Sequence, residues 1–137
     1  MNRPTGKLNC ATLEEVDNSE HAVIGTLNIL TNPGKVLFDT GATTSFISEE
    51  FFDKFGIRRA TLESPMTIVT SGGNVIVHHI KQDQVISIYV CTYFADLYVI
   101  PLKGIAVVLG MDWMMEHGAR INCEEKTVSI KIQVEQE

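Results

Sequence analysis

The feature that most constrains this chain is an apolar run, Val36-Leu37-Phe38, that ends in a carboxylate, Asp39, and a tight turn, Thr40-Gly41. A short apolar run of this kind predicts a buried strand ending at Asp39. Burying an unpaired carboxylate in an apolar layer is costly, so a charge at this place suggests a function. Gly41 lets the backbone pass close by, and the Thr40 hydroxyl can brace a neighbouring group. The pattern indicates an aspartate positioned for acid–base chemistry.

A second apolar run, Ile105–Leu109, is closed by Gly110 and the start of a helix. The segment Phe38–Ser48, taken with Leu109–Trp113, resembles the retroviral-type aspartic proteases, or retropepsins. The resemblance spans residues 21–132 and is strongest to the protease of gypsy-type LTR retrotransposon polyproteins of the kind found in plants. It implies an all-β fold, a closed barrel or sandwich with one or two short helices, assembled as a homodimer.

Composition limits the other function classes. The chain has 137 residues, 45% of them hydrophobic and 20% charged, as expected of one globular domain. A net charge of −6 argues against a nucleic-acid partner. We expect no membrane association, because no apolar stretch is long enough for a membrane helix. Since no signal-peptide core is present, we expect an intracellular, cytoplasmic location, or one inside retroelement particles. The three cysteines have no C-x-x-C spacing, and we expect no metal and no cofactor.

Glycine, proline and asparagine divide the chain into short strands. We expect a flexible leader at residues 1–18, the protease-like domain at 19–133 and a tail at 134–137. The turn between the first two strands is predicted at Asn32-Pro33-Gly34. Strands are predicted near residues 21–30, 35–39, 65–70, 74–80, 84–90, 94–100, 105–109, 119–123 and 127–133, the last two forming a closing hairpin.

Two short helices are predicted among these strands. The first covers residues 48–55, with Ser48 as N-cap and Gly56 after its end. The second covers residues 113–117, with Asp112 as N-cap. Gly110 and Asp112 are therefore assigned structural roles, and Asp112 is not counted as a second catalytic aspartate.

Peptide hydrolysis without a metal or a covalent nucleophile needs a base to activate water and an acid to protonate the carbonyl oxygen. In aspartic proteases two carboxyl groups that share one proton do both, because like charges about 3 Å apart cannot both ionise. This chain carries one Asp-Thr-Gly, so a dyad requires Asp39 from each of two copies. The predicted catalytic residues are Asp39, Thr40 and Gly41, and the resemblance implies that Thr40 braces its symmetry mate.

The segment Ile68–Val77 is predicted to be a hairpin with a Ser-Gly-Gly-Asn tip. The resemblance implies that this hairpin is the flap that closes over a peptide or polyprotein substrate, whereas periodicity alone favours an ordinary surface hairpin. The residues expected at the substrate are Ala42, Thr70, Ser71, Gly72, Gly73, Asn74 and Val75.

The chain departs from the viral pattern at two places. Viral retropepsins commonly carry an acidic residue shortly after the Asp-Thr-Gly-Ala and an arginine after the later glycine, and the two pair. Here those places hold Thr43-Thr44 and Met111. Because acid and base are absent together, no buried charge is orphaned. Catalysis stays plausible, but the viral style of dimer support does not carry over.

The leading interpretation is an aspartic endopeptidase that processes a retrotransposon Gag-Pol polyprotein. Two alternatives stay open: a catalytically silent domain of the same fold that dimerises or binds peptides, and a cellular protease domain of a larger host protein. The intact Asp39-Thr40-Gly41 speaks against the silent domain. A reverse transcriptase downstream in the full gene favours the retroelement, whereas a ubiquitin-like or helical neighbour favours the host protein.

Overall fold

The computed structural model describes residues 5–8, 22–29, 32–55, 58–70, 73–88 and 91–130. Within these residues the chain forms ten strands and two short helices. The helices are α1 (Glu49–Lys54) and α2 (Met111–His117), and neither is long and apolar enough to cross a membrane. The strands are β1 (Thr5–Lys7), β2 (Ala22–Ile29), β3 (Asn32–Asp39), β4 (Phe46–Ser48), β5 (Ala60–Thr70), β6 (Gly73–Ile88), β7 (Cys91–Ile100), β8 (Val107–Leu109), β9 (Arg120–Asn122) and β10 (Thr127–Ser129).

Eight strands form one sheet in the order β1-β5-β6-β2-β3-β8-β4-β7. Because β7 also pairs with β6, the strands from β6 to β7 close into a ring, and the sheet is barrel-like. Strands β9 and β10 form a separate antiparallel hairpin. The predicted all-β fold with two short helices is confirmed, and so is the closing hairpin.

The core consists of two apolar clusters on opposite faces of β3. Side chains alternate along a strand, so Val36 and Phe38 enter one cluster and Leu37 enters the other. The first cluster also holds Trp113 and Met114 of α2 and is called the helix-side cluster. The second reaches the β5–β6 hairpin and is called the hairpin-side cluster; its buried members are Leu8, Ala22, Leu37, Ala42, Phe46, Met66, Ile68, Val77, Ile100, Leu102, Ile105 and Val108.

The predicted turn at Asn32-Pro33-Gly34 is wrong, because these residues belong to β3 and pair with β2 as far as Ile29 opposite Asn32. The glycine serves close packing instead of a turn. A Cβ on Gly34 would lie 2.8 Å from both the Ala106 Cβ and the Ile29 Cδ1. The link between β2 and β3 lies outside the described residues, as does Gly56 after α1.

The first helix is as predicted, since the Ser48 side chain accepts a hydrogen bond from the Phe51 amide at its N-terminus. The second helix begins earlier than predicted: its N-cap is Gly110, and Asp112 lies inside the first turn. Asp112 as N-cap is therefore wrong, because Met111 already has a helical conformation.

Residues 5–8 lie in the segment for which a flexible leader is expected. There β1 pairs in parallel with β5, and the Leu8 side chain is buried. These four residues contact the rest of the fold, while the expected leader and the domain bounds at residues 19 and 133 stay predictions.

Candidate active site

Asp39 is the last residue of β3, which is held between two neighbours. It lies opposite Ala22 of β2, while the preceding residues pair in parallel with β8. The carboxyl group is fully buried, and its Oδ1 accepts a hydrogen bond from the Gly41 amide at 2.8 Å. The Ala42 amide donates to the Asp39 carbonyl oxygen at 3.2 Å, which closes the turn. The turn therefore holds the carboxylate and the strand end through backbone groups.

The backbone of residues 42–44, which follows this turn, crosses in close contact with the backbone at Gly110. A Cβ on Gly110 would overlap the Thr44 carbonyl oxygen and would lie 2.8 Å from the Ala42 carbonyl oxygen. The Met111 amide donates to the Ala42 carbonyl oxygen at 2.8 Å, and the Asp112 amide donates to Thr43 at 3.3 Å. Only a residue without a side chain fits between these segments, so the structural role predicted for Gly110 has a direct physical basis.

Ser45 joins the same two segments through its side chain. Its Oγ accepts a hydrogen bond from the Gly110 amide at 2.9 Å and donates to Asp112 Oδ1 at 2.6 Å. Asp112 Oδ1 also accepts from the Trp113 amide at 2.7 Å, so its charge lies at the N-terminal end of α2, where the helix dipole favours it. Asp112 is thus a link between the turn and the helix.

Ser45 was not recognised from the sequence. The available signal was a hydroxyl entering the apolar strand β4, since a buried hydroxyl needs a partner.

Several aromatic side chains pack together on the face of β3 that belongs to the helix-side cluster. The Trp113 ring lies 5.9 Å from the Phe38 ring, 5.7 Å from Tyr93 and 4.8 Å from His117, measured between ring centroids. Burial, with a smaller effect of Cys91, raises the pKa of Tyr93 above its ordinary value, so the phenol stays neutral. Since Phe38 directly precedes Asp39, this packing holds the strand end that carries the carboxylate.

The predicted hairpin is present, with Ile68 opposite Val75 and Thr70 opposite Gly73. Gly73 has φ of 119°, which side chains rarely tolerate, and its carbonyl oxygen accepts from the Thr70 hydroxyl at 2.6 Å. Two of the tip residues, Ser71 and Gly72, lie outside the described residues. The hairpin is confirmed, and its role as a flap stays a prediction.

The structure places the predicted site residues in two groups. Asp39, Thr40, Gly41 and Ala42 lie together at the crossing with Gly110 and Asp112. The described hairpin residues Thr70, Gly73, Asn74 and Val75 belong to the β5–β6 hairpin. The hairpin-side cluster connects the two groups, since it contains Ala42 of the turn and Ile68 of the hairpin, with Val75 packed against it.

A profile of the retroviral aspartyl protease family matches residues 3–136, which is nearly the whole chain. The chain belongs to the retroviral aspartyl protease family. A search of curated proteins gave no match.

Two solved structures resemble this family member over most of its length. The EIAV protease complexed with the inhibitor HBY-793 is 25% identical, with a TM-score of 0.58, and the match covers 77% of this chain and 96% of the viral one. The retroviral protease-like domain of Ddi1 from Leishmania major is 14% identical, with a TM-score of 0.60, covering 80% of this chain and 88% of that domain. The second likeness concerns the fold alone. Together they confirm the retropepsin fold.

In this retropepsin fold an open groove of about 870 Å³ borders the turn after Asp39. Thr40 forms part of its wall. The helix α2 and the β9–β10 hairpin form other parts of the wall, and its large apolar residues are Met111, Met114, Met115, Ile121 and Ile130. Met115 is exposed, with 76% of its surface accessible in the single chain. The apolar surface beside the turn is therefore open for contact.

Proposed function

We propose that this member of the retroviral aspartyl protease family is an aspartic endopeptidase that acts as a homodimer. The observation that carries the proposal is the buried Asp39 carboxyl group at a strand end, held by the Gly41 amide, in a chain with the retropepsin fold. Burying a carboxylate has a free-energy cost that one backbone hydrogen bond offsets only in part, so its presence at this place indicates a functional role.

The mechanism follows from two such carboxyl groups. One Asp39 is ionised and takes a proton from the attacking water, while its symmetry mate is protonated and donates to the carbonyl oxygen of the peptide, which gives a tetrahedral diol. The carboxyl group that took up the water proton then donates it to the amide nitrogen, the C–N bond breaks and the amine leaves, while the other carboxylate takes back a proton from the diol as the new carboxyl group forms. The shared proton belongs to the pair, so the two groups titrate as coupled steps. The Gly41 amide stabilises the ionised form of its own carboxyl group and holds its orientation. Thr40 and Gly41 are the further catalytic residues that we propose.

A second copy is supported by the chain itself. There is one Asp-Thr-Gly, and the mechanism needs two aspartates. The groove beside Thr40 borders the surface that a second catalytic turn would have to approach, and its methionines are flexible apolar side chains that adapt to a partner. With Met111 in place of an arginine, we propose that apolar contacts replace the viral ion pair in the dimer.

For the substrate we propose a retrotransposon polyprotein. The support is the likeness of Phe38–Ser48 and Leu109–Trp113 to gypsy-type proteases, together with the paired departures at Thr43-Thr44 and Met111. Such a protease would act in the cytoplasm or inside the element's particles.

A second candidate is a retropepsin-like domain of a cellular protein. The fold likeness to the protease-like domain of Ddi1 favours this candidate. In either setting a silent, peptide-binding domain is distinguished by the absence of cleavage. The neighbouring domains in the full gene separate the retroelement from the host protein.

The test is incubation of the purified chain with a mixed peptide library, with and without pepstatin, and analysis of the products by mass spectrometry. We expect pepstatin-sensitive cleavage that Asp39→Asn abolishes, because asparagine keeps the shape but cannot exchange the proton. Asp112→Asn is the matched control: its amide oxygen still accepts from Ser45, so we expect activity to remain. Loss of activity in Asp112→Asn with activity retained in Asp39→Asn would show that the catalytic residue is misassigned.

A further inference from the structure

A short N-terminal strand lies along the hairpin that is predicted to be the flap. Residues Thr5–Lys7 of β1 run parallel to Thr67–Val69 of β5, and the Leu8 amide donates to the Val69 carbonyl oxygen at 3.0 Å. β1 stands at the end of the strand order, so β5 is its one neighbour among the described strands. An extended peptide adds to an exposed strand edge in the same way. The chain's own residues thus form a peptide-like strand on β5.

The Leu8 side chain, which directly follows this strand, packs in the interior between the hairpin and the catalytic turn. It is fully buried, and it belongs to the hairpin-side cluster with Ile68 of the hairpin and Ala42 of the turn. Leu37 of the same cluster precedes Asp39 by two residues, so both side chains lie on one face of β3. The apolar space that holds Leu8 therefore continues along β3 to the catalytic carboxyl group.

Access to that carboxyl group is closed in this arrangement. Asp39 has an accessible surface of 0% in the single chain, so neither a water nor a peptide carbonyl reaches it without a movement of the groups above it. A peptide substrate must lie between the hairpin and the turn and pack its side chains against both. Residues 5–8 already occupy a place of this description.

We propose that Thr5–Leu8 occupies the peptide-binding cleft as an intramolecular competitor, so that a substrate binds only after this segment is displaced. The competing ligand class is an extended peptide with a leucine-sized aliphatic side chain at the position of Leu8. The inhibition rests on the proposed protease function, whereas the occupation of the cleft does not.

The segment is suited to displacement because β1 is three residues long and has one hydrogen-bonded neighbour. Short edge elements with few contacts open at a small fraction of the global stability. Tethering nevertheless gives the segment a millimolar effective concentration at the cleft, which is enough to compete with a free peptide.

The first test compares Leu8→Ala with Leu8→Met in the full chain, by steady-state cleavage of a peptide found in the library experiment. We expect Leu8→Ala to lower the apparent KM by about tenfold with kcat unchanged, because Leu8 is the one aliphatic residue of the Thr5–Leu8 sequence and its side chain is fully buried. Leu8→Met conserves volume and should stay near the parent chain. The matched control is Leu27→Ala, in a half-buried leucine packed on the helix-side cluster, which should lower Tm without changing KM.

The second test needs no cleavage. In the Asp39→Asn background, fluorescence anisotropy measures the binding of a labelled synthetic peptide with the sequence of residues 3–10. We expect the peptide to bind the Leu8→Ala chain about tenfold more tightly than the chain that keeps Leu8. Should Leu8→Ala fail to fold, hydrogen exchange on the Asp39→Asn chain decides: a saturating amount of the peptide should speed exchange at residues 5–8.

The outcomes separate the two proposals. If the Leu8→Ala chain has a lower Tm but unchanged KM and peptide affinity, β1 is only a structural strand and the inference is overturned. Unchanged exchange at residues 5–8 in the presence of the peptide overturns it equally. If no variant cuts any peptide but the difference in peptide affinity is found, the proposed protease function fails and the occupation of the cleft stands.

Discussion

Gly110 offers a sharp test of how the turn after Asp39 is held. In Gly110→Ala the new methyl group would overlap the Thr44 carbonyl oxygen and approach the Ala42 carbonyl oxygen to 2.8 Å. Both obstacles are backbone atoms, which cannot rotate away as a side chain can. The crossing segments must therefore move apart.

The cost follows from the hydrogen bonds that this movement disturbs. Three join the segments: the Gly110 amide to Ser45 Oγ, the Met111 amide to the Ala42 carbonyl oxygen, and the Asp112 amide to the Thr43 carbonyl oxygen. At about 1 kcal/mol each, their weakening lowers the free energy of unfolding by about 3 kcal/mol. The upper part of the usual range for overpacking is about the same size. For a domain of this length we expect Tm to fall by about 10 °C.

The control is Gly25→Ala in β2, the same substitution at a glycine whose added Cβ meets no atom within 4 Å. There we expect a change in Tm of less than about 3 °C, because alanine introduces no contact and restricts the unfolded chain. Tm is measured by circular dichroism at one protein concentration, since dimerisation shifts Tm with concentration. Equal shifts for the two variants would refute the account of the crossing.

Three further predictions follow from the site. Ser45→Ala leaves the buried Gly110 amide without its acceptor, so we expect a loss of about 2 kcal/mol in urea unfolding, and a loss below about 0.5 kcal/mol would contradict the linking role of Ser45. Specific activity should fall on dilution as the dimer dissociates; full activity of a species shown to be monomeric by light scattering would disprove the shared dyad. Because the pKa of Tyr93 is raised, the folded chain keeps a proton that the unfolded chain releases above about pH 10, and stability falls as the pH rises through that range. Tyr93→Phe should make the decline of Tm from about pH 9 to pH 11 shallower, and an unchanged decline would contradict this assignment.

The parts of the site that the sequence predicted are those that a short, local sequence pattern specifies. The apolar run Val36–Phe38 predicts a buried strand, and the cost of burying Asp39 at its end indicates a functional residue. The hairpin around Gly73 follows from alternation and turn residues. Ser48 is recognisable as an N-cap because its Oγ accepts a hydrogen bond from a nearby amide, that of Phe51, three residues later.

The features that were missed depend on distant partners. β4 has three residues and exists because β7 and β8 pair with it on either side. Ser45 bonds a backbone amide at Gly110, which no local pattern reveals. Asp112 has the residue type of an N-cap, but the close crossing at Gly110 sets the helix start earlier. β1 is a polar tripeptide that gains its structure from β5.

The position of β8 has a consequence for the order in which the chain can fold. This strand lies between β3 and β4, parallel to the first and antiparallel to the second, although β3 and β4 are close in sequence. The turn after Asp39 joins them across a gap that is filled only when Val107–Leu109 pairs with both strands. During synthesis a nascent chain that ends before β8 can form the β5–β6 hairpin but cannot complete the turn at Asp39. A truncated chain of residues 1–104 should thus show no hydrogen-exchange protection at Gly41 and Ala42. Such delayed, non-local closure is slow, and it leaves the surroundings of the Asp39 carboxyl group unassembled until almost the whole domain has been made.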